Sequence, residues 1–169
     1  LGLPNLLDMA SELRVDRIIP VDGVPSGGGG GIIQMKHSVV ETQVVVNTNT
    51  YTSTGNSVTI TPKSASNYFY VFFEGQFTMD ANGAQGFGYN IYKDGTAVTT
   101  SANDGGNPYD EYKDETRIYT RKCKMYFAQC GTTSAVTFDV RFRPYNNQNT
   151  ISCYSGETQQ NLIVMEVSG

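Results

Sequence analysis

Tryptophan is absent, histidine occurs once, at His37, and there are only three cysteines in 169 residues. A single histidine leaves no second imidazole to share a metal or to activate a nucleophile nearby in sequence. An odd number of cysteines forbids a complete intramolecular disulfide set. A chain of this length buries enough apolar surface to fold without cross-links, so reduced thiols are expected. Cys123 and Cys130 lie seven apart, which would put them on opposite sides of one strand and unable to bridge. With no Cys-x-x-Cys pair, the thiols and the distant His37 make no zinc set. Cys153 shares its alternating face with Ile151 and reads as a small buried hydrophobe.

Charge is also scarce, 17% of residues, and 12 Lys and Arg against 16 Asp and Glu give a formal net charge of −4. Nucleic-acid phosphates need clustered positive charge, so nucleic acid is not an expected partner. No apolar run approaches the roughly 18 to 20 residues of a bilayer-spanning helix, and the first residues lack the cationic start of a secretory signal; no membrane insertion is expected. The chain begins at Leu1, while Met9-Ala10-Ser11 would be a natural start, so a processed or partial chain is expected. The length fits one domain with a short appendage.

What the chain does have is 11 Tyr, 8 Phe, 18 Gly and a hydrophobic period of two. Phe69, Val71, Phe73, Gly75, Phe77 and Met79 alternate with Tyr68, Tyr70, Phe72, Glu74, Gln76 and Thr78, a strand whose second face begins aromatic and becomes polar. Val136, Phe138, Val140 and Phe142 alternate with Thr137, Asp139, Arg141 and Arg143, a pattern that pins its own register. Val58 with Ile60, Phe87 with Tyr89 and Ile91, and Ile163 with Met165 and Val167 extend the series. Lys93-Asp94-Gly95-Thr96 reads as a two-residue hairpin turn. Further breaks are expected at Thr54-Gly55-Asn56, Asn82-Gly83, Gly131 to Ser134 and Asn146 to Asn149. Some eight to ten strands without an amphipathic helix between them imply an all-β fold, an antiparallel β-sandwich of jelly-roll type, over residues 32–169.

Residues 1–31 differ. Five consecutive glycines, Gly27 to Gly31, read as a linker, and the segment before them cannot close a core alone. It is expected to be an extended arm that docks on another chain through Leu6, Leu7, Leu13, Val15, Ile18 and Ile19. The glycines are not a phosphate loop, since no Lys-Ser or Lys-Thr follows and no helix opens after them. One long irregular stretch, Ala102 to Thr116, carries five carboxylates. It lacks the every-second-residue ligand order of a calcium loop, and closeness in sequence does not set two carboxylates at glycosidase separation. Neither an enzyme nor a cofactor is expected. Tyrosines beside carboxylates suit sugar rings and hydroxyls, so Asp104, Tyr109, Asp110, Glu111 and Tyr112 form the candidate receptor-contact loop.

Three stretches taken in order carry a resemblance: GGGGGIIQ at Gly27 to Gln34, SVTITP at Ser57 to Pro62 with YKDGTAV at Tyr92 to Val98, and NLIVMEVSG at Asn161 to Gly169. The set resembles the C-terminal β-domains of fibre and spike proteins of tailed bacteriophages, in particular phages of cyanobacteria and other marine bacteria. RVDRIIPVDGVP, Arg14 to Pro25, looks like the leader that attaches such domains to the particle. The resemblance implies a homotrimeric virion appendage whose arm meets other virion proteins. The head would recognise a host cell-surface glycan at the tail, or decorate the capsid. Tyr68, Tyr70 and Phe72 are the candidate trimer interface. A secreted trimeric, lectin-like module of the tumour-necrosis-factor or complement-head type is the second class weighed. A glycan hydrolase is the third, and no such activity is expected.

Overall fold

The computed structural model describes residues 31–80, 86–98, 117–145, 150–154 and 158–169. The arm, most of the pentaglycine, Asn82-Gly83, Asn146 to Asn149 and the Ala102 to Thr116 loop lie outside the described residues. Ten strands are present and no helix occurs among the described residues: β1 (Ile32–Val40), β2 (Val44–Val46), β3 (Thr52–Ile60), β4 (Tyr68–Asp80), β5 (Phe87–Lys93), β6 (Thr96–Ala97), β7 (Arg117–Gln129), β8 (Val136–Pro144), β9 (Thr150–Tyr154) and β10 (Gln160–Val167). All pairings are antiparallel, in two sheets consistent with a β-sandwich.

The longest strands set the plan. β4 is bordered along its whole length by β7, from Tyr68↔Gln129 to Asp80↔Arg117. Its other edge is shared: β10 covers Tyr68 to Glu74 and β9 covers Gln76 to Asp80, leaving Gly75 between them. β9 and β10 therefore follow one another along the same edge of β4 and form one line. β1 beside β10 and β2 beside β9 likewise form one line, broken at 41–43. Counting each such pair as one line, the first sheet reads β1/β2, β9/β10, β4, β7, and the second reads β3, β8, β5, β6.

Between the sheets lies an aromatic core. Phe69, Phe73, Phe77, Phe138 and Phe142 are fully buried. Phe69 meets Phe138 edge-on at 5.0 Å, and Phe77 packs on Phe87, Tyr89 and Phe142 at 4.8 to 5.5 Å, geometries that add to area burial. Gly75 faces inward beneath Phe73: a Cβ there would sit 2.7 Å from the ring's Cζ, so the absent side chain is what lets the ring lie down.

The expected hairpin is present, with Lys93 opposite Thr96 and positive φ at Asp94 (49°) and Gly95 (80°), the conformation such turns demand. Two expectations need correction. Thr54-Gly55-Asn56 does not end a strand: the register jumps from Ser53↔Arg141 to Ser57↔Asp139, so β3 absorbs the extra residues as a bulge and continues. In β10 the inward face is Leu162, Val164 and Glu166, while Ile163, Met165 and Val167 point outward and are half-buried. Both faces of that strand are apolar, so period two could not say which was inside; the partners of Glu166, below, decide it.

Candidate functional site

The outward face of the first sheet gathers apolar side chains from four adjacent strands. One row is Ile32, Val167, Tyr68 and Gln129; the next is Met35, Met165, Tyr70 and Phe127; the third is His37, Ile163, Phe72 and Met125. Ile32, Met35, Met125 and Phe127 are each 58 to 61% exposed. The inner members are better covered, because each is flanked on both sides within its row. Phe127 stacks on Tyr68 with ring centroids 5.0 Å apart and planes 1° from parallel, and its edge meets Tyr70. The Tyr70 hydroxyl donates to the sulfur of Met125 at 3.0 Å. Charge begins only at the next row, where Glu74 pairs with Arg121 at 3.3 Å beside exposed Cys123.

The expected interface residues Tyr68, Tyr70 and Phe72 thus share one outward face, half-buried at its centre. Sequence reasoning missed Met125 and Phe127 beside them. In Lys-Cys-Lys-Met-Tyr-Phe the lysines look like the solvent side, yet Cys123, Met125 and Phe127 face out while Lys124 is buried and lies over the Tyr89 ring at 5.9 Å. The Tyr89 hydroxyl reaches across and donates to the Cys123 carbonyl at 2.9 Å, which fixes β5 against β7. Burial, and to a smaller degree the neighbouring Cys123, pushes the Tyr89 phenol above its ordinary value. The receptor-contact candidates Asp104, Tyr109, Asp110, Glu111 and Tyr112, and the arm residues Leu6, Leu7, Leu13, Val15, Ile18 and Ile19, lie outside the described residues.

The outward face of the second sheet has the opposite character. The guanidinium of Arg141 lies 4.4 Å from the Tyr92 ring centre and that of Arg143 4.8 Å from Tyr51, with the two tyrosine rings 5.8 Å apart. Arg141 also donates to Asp139 at 2.6 Å, and Arg143 to the Asn49 side chain. Thr59 and Thr137 share a hydroxyl hydrogen bond at 2.8 Å. Here the arginines, Asp139, Asn49 and the threonine pair are held by neighbours on the same surface.

A second assembly, on the inner side, joins the three stretches that carry the resemblance. Glu166 is fully buried and accepts from Asn67 Nδ2 at 2.6 Å, Gln34 Nε2 at 2.5 Å, and the backbone N–H groups of Lys63 at 2.8 Å and Ser64 at 3.2 Å. Burial alone would raise this carboxyl; the bonds from Asn67, Gln34, Lys63 and Ser64 outweigh it and hold the group below its ordinary range. Gln34 of GGGGGIIQ, the residues just after SVTITP and Glu166 of NLIVMEVSG therefore meet at one carboxylate. Its role is structural: it pins the β3–β4 connection to β1 and β10.

Cys130 is buried, and burial foremost, with Glu166 adding and Lys93 opposing, pushes its thiol up to about 11. Cys153 is raised by burial as well. Neither thiol is disposed to act as a nucleophile at neutral pH. Among the described residues no three His, Cys, Asp or Glu side chains gather to hold a metal ion, and no helix is long and apolar enough to cross a membrane. No model of a known protein family matches the chain, and no curated protein matches it.

Proposed function

We propose that this chain is the head of a homotrimeric appendage on the virion of a tailed bacteriophage, a binding protein rather than an enzyme, used in attachment to a host cell-surface glycan. The carrying observation is a β-sandwich with one outward face rich in paired polar and charged groups and the other largely apolar, without Asp, Glu, Lys or Arg over three rows. Such a pairing suits a subunit that buries one side on assembly and shows the other to water.

The strand order supports a jelly-roll sandwich. Numbering the eight lines along the chain gives 1-8-3-6 in one sheet and 2-7-4-5 in the other, so the outermost pairs of the sequence are neighbours in space and the chain passes repeatedly between sheets. That winding is shared by many viral capsid and lectin domains, and fold alone does not name a function. The resemblance of the Gly27, Ser57 and Asn161 stretches supplies the phage assignment.

Electron cryomicroscopy of the source particle, with mass spectrometry of its proteins, tests this reading. Expected is density for three copies at the distal end of a tail appendage. Copies at capsid vertices would replace tail attachment with decoration, and purified particles free of the chain would overturn the virion assignment altogether.

A further inference from the structure

We infer that the outward face of the first sheet, centred on Met165 and Tyr70, is covered by further copies of this same chain, packed face against face rather than joined through strand edges. The inference takes self-association from the reading above and assigns the surface that builds it.

The area comes first. Four strands about 4.8 Å apart and three rows about 6.8 Å apart outline on the order of 400 Å² of flat apolar surface. This is the size of the largest apolar patch on a typical soluble monomer, and such patches are often functional. It is also the right size for the water-free centre of an ordinary interface, which buries about 800 Å² per partner with its polar rim included. Here the rim is in place: Glu74 with Arg121 closes one end, and His37 Nε2 lies 3.3 Å from Asn161 Oδ1 beside it.

Charge then selects the partner. A different protein is commonly chosen by complementary charge, and these three rows hold no carboxylate, lysine or arginine to be read. For a copy of itself the same blankness is an advantage, because identical faces meet without like-charge repulsion. In a chain of net charge −4, an uncharged face is where a second copy is least opposed.

Edge pairing, the other route to self-association, is guarded. β7 borders the first sheet with Lys122 and Lys124 on its inward side, and β1 at the opposite border carries a register shift between Ile32 and Gln34. Inward charges and bulges are the devices that keep strand edges from being extended. The face carries no comparable guard.

Either of two symmetries satisfies the face. Two sheets stack about 10 Å apart. Three sheets about 19 Å wide can instead surround a threefold axis, each about 5.5 Å from it, close to half that same stacking distance.

Met35 and Met125 are exposed in the isolated subunit, so a charge at either is tolerated by one folded chain and rejected by a buried interface. The full chain and its Met35→Glu, Met125→Glu and Thr59→Glu variants are to be compared by sedimentation and light scattering at micromolar concentration, with circular dichroism to certify the fold. Expected is an oligomer that both methionine variants reduce to single chains, at least a tenfold loss of affinity, while Thr59→Glu on the other sheet leaves the mass unchanged. A mass of three chains upholds both this inference and the trimeric reading. A mass of two that the methionine variants dissociate upholds the face and overturns the trimer. A monomeric wild-type chain, or an oligomer indifferent to both methionine variants, overturns the inference.

Discussion

Glu166 shows how a single side chain can organise chain segments far apart in sequence. Its four donors come from Gln34 of β1 and from Lys63, Ser64 and Asn67 of the β3–β4 connection, and each would be left facing a weaker acceptor if the carboxylate were lost. Glu166→Gln is expected to cost about 2 to 3 kcal/mol in denaturant unfolding at neutral pH. The folded-state pKa lies below the unfolded value, so the stabilisation is full above the ordinary carboxylate range and lost as pH falls through the folded value. Between about pH 6 and pH 3 the wild type should therefore lose more stability than the Gln variant; equal acid slopes would refute the assignment. Gly75 is the second test at this scale. Gly75→Ala places a methyl against the Phe73 ring, and the overpacked core is expected to lose about 1 to 3 kcal/mol, read as a lower urea midpoint. The sequence marked Gln34 and Glu166 only as members of familiar stretches and Lys63 not at all, since nothing local reveals that residues over a hundred positions apart share one carboxylate.

Strands were legible where one face was apolar and the other was not. β8 and the second half of β4 read correctly because Val136 to Phe142 and Phe73 to Met79 alternate cleanly, and the Asp94-Gly95 turn announced itself through residues that accept positive φ. Legibility failed in three elements for three reasons. β10 is apolar on both faces, β3 contains a bulge that looks like a break, and β7 directs lysines inward where charge is expected outside. The last of these has a measurable purpose. Replacing Lys122 and Lys124 together with threonine should leave the sandwich folded but open its border to pairing, with light scattering rising over hours at concentrations where the wild type stays clear.

At the scale of the whole molecule, the two outward faces differ in how they answer salt. Arg141, Arg143, Asp139 and the tyrosines hold the second sheet's face with charged and stacked contacts, whereas the first sheet's apolar rows contain no ion pair. The sedimenting mass should therefore be the same at about 50 mM and about 1 M sodium chloride, since screening acts on charges that the three rows lack and the exposed Glu74–Arg121 pair at the rim contributes little. A mass that falls with salt would place the contact elsewhere. The outer line of the first sheet also breaks at 41–43, between β1 and β2, near the level of Gly75. Residues 41–43 contribute no rungs to the ladders above and below them, so length added there displaces no pairing. For an engineer this break is a grafting port: a reporter peptide or a foreign epitope spliced in at 41–43 would be carried by the sandwich without rewriting the scaffold beneath it.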